Sequence, residues 1–368
     1  METLNFSKNN DIQHIIGSFL DFTYLCRDAL SHCTSLLPPM KVNRFVSFCT
    51  LVLAAAVGCD SPPETSETAP PVAQPSARTL PRPYEAISLL GDTLYASDLP
   101  TAQPASDSAQ STAARAYEQA PTLQNTIDYG KALAQRAQYQ DAIRLFTAGL
   151  QEFPNAPELY RYRGEQLIVT RQFDRAVQDL VKGAELLQNR PVSVASEVPA
   201  SPRELSPALR FEVYYHLGLG YYLQGQYGEA AQAYEQSLSA ALSDDDRVAA
   251  ADWLYMTYRR LGEDEVAEKT LAAIDEEMNL QHQEGYFERL LMYKGLVDPD
   301  SLLRLDTPSD ERDREAMLAT YGYGVSNFYQ TEGDSLLSQQ IKEKVVSGKY
   351  WAALGYIAAE ADLARERK

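Results

Sequence analysis

The chain has 368 residues, with 33 Lys and Arg against 51 Asp and Glu, a formal charge of −18 and a hydrophobic share of 45%. That apolar content suffices for one or two packed domains, while the acidic excess excludes a nucleic-acid partner, which would need clustered Lys and Arg to replace counterions on the phosphates. All four cysteines (Cys26, Cys33, Cys49, Cys59) and the histidines His14 and His32 precede residue 60, so only His216 and His282 stand downstream; a disulfide framework, a Cys-based metal site and a His cluster are excluded there, and no cofactor, metal or catalytic residue is expected.

From Met40 the chain runs through the basic Lys41 and Arg44 into residues 45–58, which carry no charge, and reaches Cys59. A basic start, a short apolar run and a small-residue end have the layout of an export signal. The run is shorter than the roughly twenty residues that span a bilayer. Ala56-Val57-Gly58-Cys59 resembles a bacterial lipobox, with Ala56 where Leu is usual. The resemblance implies lipidation at Cys59, an N-terminal lipid anchor in a membrane and residence in the bacterial cell envelope, with the leaflet left open. Residues 1–39 then read as a misassigned start, with Met40 the initiator, against the rival of a cytoplasmic arm before an uncleaved anchor. Residues 60–83 hold Pro62, Pro63, Pro70, Pro71, Pro75, Pro81 and Pro83 among Ser, Thr and Glu. Such a stretch cannot bury enough to fold, so it reads as a disordered tether.

Residues 84–122 supply an apolar patch (Ile87, Leu89, Leu90, Leu94, Tyr95) and a helix around 113–117, expected to cover the open amino-terminal end of the helices downstream. Within residues 123–281 an Ala precedes a large apolar residue by four positions at Ala142/Phe146, Ala176/Leu180, Ala230/Tyr234 and Ala267/Leu271. Twelve residues before these alanines stand Gly130, Gly164, Gly218 and Tyr255, and three residues after those stand Leu133, Leu167, Tyr221 and Tyr258. Helical glycine costs about 1 kcal/mol against alanine and so marks a place where a second helix comes close. This pattern resembles the tetratricopeptide repeat, a helix–turn–helix of 34 residues with Leu-Gly-x-x-Tyr in its first helix and Ala-x-x-x-Phe in its second.

The repeats are placed at 123–156, 157–190, 211–244 and 248–281, with an insertion at 191–210 that is either flexible or part of a binding face. Residues 282–368 read as a degenerate fifth hairpin, with Gly333-Asp334 as its turn, and a capping helix over 350–365 that ends in Arg365, Arg367 and Lys368. The resemblance implies an all-α fold, a right-handed α-solenoid of helical hairpins with an N-terminal cover and C-terminal capping helices.

It also implies a ligand in the concave groove lined by the first helices: Lys131 and Gln135, Arg161 and Glu165, Tyr215, Leu219 and Tyr222, and Met256, Arg259 and Arg260. The expected partner is another protein, offering an extended peptide or an acidic tail that meets Arg259 and Arg260. The set that grips a terminal carboxylate in chaperone-binding members is absent, since Ile127, Lys131, Tyr162, Glu212 and His216 stand there. The acidic runs 244–246 and 275–277 lack the oxygen spacing of a calcium loop and read as solubility charge. The function expected is a non-enzymatic, membrane-tethered adaptor. The alternatives are a glycan- or nutrient-binding surface lipoprotein, which would use Tyr215 and Tyr222, and a carboxylate-based hydrolase.

Overall fold

The computed structural model describes residues 84–99, 105–188, 206–304 and 310–367. The export signal, Cys59, the tether and most of the 191–210 insertion lie outside the described residues.

Helical hairpins follow one another in chain order. The first four pair α2 (Leu123–Gln135) with α3 (Tyr139–Glu152), α4 (Pro157–Val169) with α5 (Phe173–Gln188), α6 (Pro207–Gln224) with α7 (Tyr227–Ser239), and α8 (Asp244–Leu261) with α9 (Asp264–Ala272). Before them lie the strands β1 (Ala86–Ile87) and β2 (Thr93–Leu94), antiparallel with Ala86 opposite Leu94, and the helix α1 (Ala105–Gln119) packed on α2. The helix starts are written in local chemistry. Thr122 and Ser243 accept from the backbone N–H three residues on, capping α2 and α8, and Pro157 and Pro207 occupy first-turn positions where no N–H is needed.

The glycines mark where the helices of a hairpin touch. A Cβ built on Gly130 would overlap the Phe146 ring, one on Gly164 would lie 2.8 Å from Leu180 and one on Gly218 2.8 Å from Tyr234. Ala142, Ala176 and Ala230 have no exposed surface in the same contacts. The turn that closes each hairpin is equally regular. Seven residues after Gly130, Gly164, Gly218 and Tyr255 the backbone is left-handed, at Ala137 (φ 56°), Arg171 (62°), Gly225 (77°) and Gly262 (75°). Glycine adopts this conformation freely, whereas Ala137 and Arg171 hold it at a cost of about 1–2 kcal/mol each.

The region read as one degenerate hairpin contains two. The helix α10 (Glu284–Tyr293) leads through Gly295 (φ 75°) to the single turn α11 (Pro299–Leu302), and α12 (Glu311–Thr331) leads through Gly333 (φ 91°) to α13 (Ser335–Val346). Counting seven back from Gly333 gives Ser326, and twelve on from Ser326 gives Ser338; both are fully buried, small residues at the positions that Gly and Ala hold upstream. The spacing therefore persists after its residue types have changed, which is why composition hides it.

The acidic run at the start of α8 is structural as well as solubilising. Asp245, buried, accepts from the backbone N–H groups of Gln281, His282 and Gln283 at 2.9–3.0 Å, which fixes the entry to α10. Asp244 accepts from Asn279 N at 3.0 Å and Asp246 from Leu242 N at 2.9 Å.

The last helix, α14 (Leu354–Glu366), falls where the sequence places a capping helix over 350–365. Gly355 to Leu363 has nine buried residues in succession, so every side of the helix is covered. It packs on α12 and α13 and also reaches α6. Its approach to α12 is the closest at any glycine among the described residues, since a Cβ on Gly355 would overlap the Ala319 carbonyl oxygen.

Candidate functional site

The first helices of the hairpins (α2, α4, α6, α8, α10 and α12) pack against one another in chain order and together make one face, taken here as the inner one. That face has two parts.

From the third hairpin onward it is filled with the chain's own side chains. Tyr215, Leu219, Tyr222 and Met256 are fully buried, as are Trp253 and Tyr323. Tyr222 and Tyr323 meet hydroxyl to hydroxyl at 2.8 Å, and Trp253 stacks on Tyr323 with ring centroids 5.9 Å apart and meets Tyr222 edge-on at 5.2 Å. Asp252 and Arg289, both without exposed surface, form an ion pair at 2.8 Å that ties α8 to α10. Burial outweighs Arg289 and pushes the Asp252 carboxyl up to about 7. Arg289 also donates to the Thr320 carbonyl at 3.2 Å and rests on the Trp253 ring.

The two arginines expected to hold an acidic guest are already engaged. Arg260 pairs with Asp362 of α14 at 2.5 Å and donates to Asn327 Oδ1 at 2.8 Å and the Tyr227 hydroxyl at 3.2 Å. Arg259 pairs with Asp264 and Glu332, both at 3.0 Å, and donates to the Tyr255 hydroxyl at 2.9 Å. The acidic tail expected from the sequence thus meets carboxylates that the chain itself supplies. Asp362 is buried, which alone would raise its pKa, but Arg260 and Arg365 beside it hold the carboxyl below its ordinary value. The aromatic pair that a sugar would need, Tyr215 and Tyr222, lies in the packing.

The C-terminal helix runs along the turn edge of the stack, touching one hairpin after another. Trp351, just before α14, packs edge-on against Tyr139 and donates its indole N–H to the Tyr95 carbonyl at 3.1 Å. Arg171 donates to Glu360 Oε2 at 2.6 and 3.0 Å and to the Trp351 carbonyl at 2.7 Å. Glu360, with no exposed surface, also accepts from Leu89 N of the β-hairpin. Farther along, Arg365 donates to the Leu223 carbonyl at 2.5 Å. The strained backbone of Arg171 is thus offset by a buried guanidinium that bonds Glu360 and Trp351 near the chain's other end and the nearby Val169 carbonyl. No sequence pattern singled out Glu360 or Asp362; the available signal was an apolar run without a polar face, which marks a helix buried all round.

The first two hairpins are different. Asp128 is exposed, Lys131, Gln135 and Tyr162 are half-buried, and the carboxylates of Glu165 and Glu212 are 28% and 16% exposed. Beneath them Arg161, 1% exposed, pairs with Glu165 at 3.0 Å and Glu212 at 3.2 Å and lies 4.3 Å above the Tyr162 ring. Lys131 Nζ sits 5.8 Å from the centre of the same ring. Burial raises the Tyr162 phenol and Arg161 opposes it, while Glu212, Glu165 and Asp128 add to the rise. Burial also raises the Glu212 carboxyl, despite Arg161. His216, behind this cluster, is lowered to about 4 by burial and by Arg161, and its Nδ1 donates to the Glu212 carbonyl at 2.7 Å.

Residues 211–242 match the family model of the tetratricopeptide repeat. The third hairpin is thus similar to a tetratricopeptide repeat. The matched stretch spans most of α6 and all of α7, the hairpin that carries the Gly218–Tyr234 contact, and the hairpins before and after it repeat its turn geometry. A search of curated proteins finds no match to the chain. Among the described residues no group of three or more His, Cys, Asp or Glu is placed to hold a metal ion, and no helix is long and apolar enough to cross a membrane.

Proposed function

We propose that the protein is an exported, lipid-anchored adaptor of a bacterial cell envelope that holds a protein partner at the open end of its repeat stack. Tetratricopeptide repeats generally act as non-catalytic scaffolds for protein–protein interaction. The observation that carries the reading is the contrast along the inner face: its later hairpins are filled by the chain's own aromatic and ionic groups, while Asp128, Lys131, Tyr162, Glu165 and Glu212 remain accessible. The anchor rests on the lipobox-like residues Ala56 to Cys59 and the proline-rich residues 60–83.

Two measurements test the two halves. Radiolabelled palmitate should enter the wild-type chain and be absent from Cys59→Ser; equal labelling refutes the anchor. A photo-crosslinking residue placed at position 131 should join the protein to a discrete envelope partner, and the same residue at position 256, in the filled part, should not. Equal yields at both positions would remove the open end as the docking surface.

A further inference from the structure

The β-hairpin at the start of the described chain turns an apolar side to solvent. Its strands alternate as the pleat requires: Ala86, Ser88 and Leu94 face inward and are buried, while Ile87, Leu89 and Thr93, the residue opposite Ile87, face outward. Ile87 is 46% exposed, Leu89 39%, and Tyr84 just before them 54%. The apolar patch read from the sequence is thus split, with Leu94 turned in and Ile87 and Leu89 turned out. The other large exposed hydrophobics among the described residues, Leu242, Leu261, Leu296 and Leu336, are spread over the later hairpins, and exposed leucines standing singly are ordinary.

The outward face is firmly mounted. Ser88 Oγ accepts from Leu90 N and Asp92 N, both at 3.1 Å, and Ser88 N donates to the Asp92 carbonyl at 2.8 Å, which closes the turn at Gly91 (φ 103°). Glu85 accepts from Gln140 N at 2.9 Å, the Tyr95 carbonyl accepts from the Trp351 indole at 3.1 Å, and Glu360 accepts from Leu89 N. Whatever holds Ile87 and Leu89 therefore holds the first helical hairpin and α14 with them.

The chain upstream points to the occupant. The β-hairpin is the first described element after the 24 residues 60–83, which lead back to Cys59 and the uncharged run 45–58. With Cys59 at a bilayer surface, a stretch of that length at about 3.3 Å per residue cannot let the hairpin stray farther than about 80 Å, so the two meet without a second loss of free diffusion. Residues 84–99 contain no Lys or Arg, and Asp92 and Asp98 are exposed, so the attraction is apolar rather than electrostatic. A tyrosine beside two aliphatic side chains suits the boundary between headgroups and acyl chains.

Resting on the anchor in the adaptor reading, we propose that Tyr84, Ile87 and Leu89 dock onto the lipid surface that holds Cys59, a second contact that fixes how the repeat stack stands on the bilayer.

Tryptophan quenching tests this, because Trp253 and Trp351 are buried away from lipid. The full chain, purified with its anchor, is reconstituted on phosphatidylcholine vesicles containing acyl-brominated lipid. Ile87→Trp should be quenched at least fivefold more strongly than Leu336→Trp, an exposed site on α13, and adding Leu89→Ser should at least halve the quenching at position 87. Equal quenching at the two positions, in vesicles that still carry the protein on flotation, overturns the proposal and leaves the anchor in place. A dimer in sedimentation that Ile87→Ser/Leu89→Ser dissociates gives the face to a second copy and overturns it as well. Failure of the chain to float with the vesicles removes the anchor reading, and the docking with it.

Discussion

The two ends of the inner face are built from the same repeat and have opposite fates. In α2 and α4 the positions that point away from the partner helix carry Asp128, Lys131, Tyr162 and Glu165, which keep contact with solvent. In α6 and α8 the equivalent positions carry His216, Leu219, Trp253 and Met256, all of them buried. The difference lies in what the chain brings to each. Hairpins three and four are met by α10, α12 and α14 with complementary rings and charges; hairpins one and two are met at their turns by Trp351 and the β-hairpin, and by α1 packed on α2. A repeat position thus has no fixed role. The same place in the helix is a core position or a binding position according to what later sequence packs on it.

The sharpest way to break the contrast is to remove the charge that fastens α14. Glu360→Ala leaves the Arg171 guanidinium buried without its carboxylate, and the loss should be about 3–5 kcal/mol, measured by urea unfolding. Hydrogen exchange should show the protection of residues 354–366 and 86–94 falling together, because Glu360 binds both segments. Gly355→Ala attacks the same helix sterically. The clash is with the Ala319 backbone carbonyl, which cannot move aside as a side chain can, so a cost near the upper end of about 1–3 kcal/mol is expected despite the better helix propensity of alanine.

Gly130→Ala tests the open end's own packing. Its new methyl group meets the Phe146 ring, a side chain that can yield, and the expected cost is about 1–2 kcal/mol. Phe146→Leu in the same chain should recover part of it, a coupling that a double-mutant cycle reads directly. At the bottom of the scale Asp128→Asn, on the exposed rim, should change stability by no more than about 0.5 kcal/mol.

Acidity offers a further probe of the filled part. The folded chain holds the Asp252 proton up to about pH 7, whereas an unfolded Asp releases it near its ordinary value of 3.8. The folded state therefore binds more protons in that window, and this group's contribution to stability falls as pH rises through it. His216 acts the other way. Its folded pKa of about 4 lies below the ordinary value of 6.5, so the unfolded chain binds the extra proton between those values and stability rises with pH. Urea midpoints followed from pH 4 to 7 should climb more steeply in Asp252→Asn than in the wild type, and less steeply in His216→Gln.

Much of the fold was legible because the contacts that define it are near in sequence. Gly130 and Phe146 belong to one hairpin, as do Gly164 and Leu180, and spacing alone was enough to pair them. The last two hairpins were harder, because Glu288 and Ser326 replace the glycine and only the turn at Gly295 and Gly333 keeps the count. The candidate site was legible in outline only. Lys131, Arg161 and Glu165 do stand together, joined by Tyr162 and Glu212, whereas Arg259 and Arg260 face partners from α9, α12 and α14 that no local pattern announces.

The sequence by itself determined the helical hairpins, their phase and the small residues on which they nest, since helix periodicity and turn geometry are settled within about 34 residues. Only the tertiary structure decided which inner surfaces stay open. That depended on pairs 102 residues apart, as in Arg260 and Asp362, or 189 apart, as in Arg171 and Glu360. A charge buried by folding takes its meaning from the opposite charge that folding brings to it, and one-dimensional order does not record that meeting.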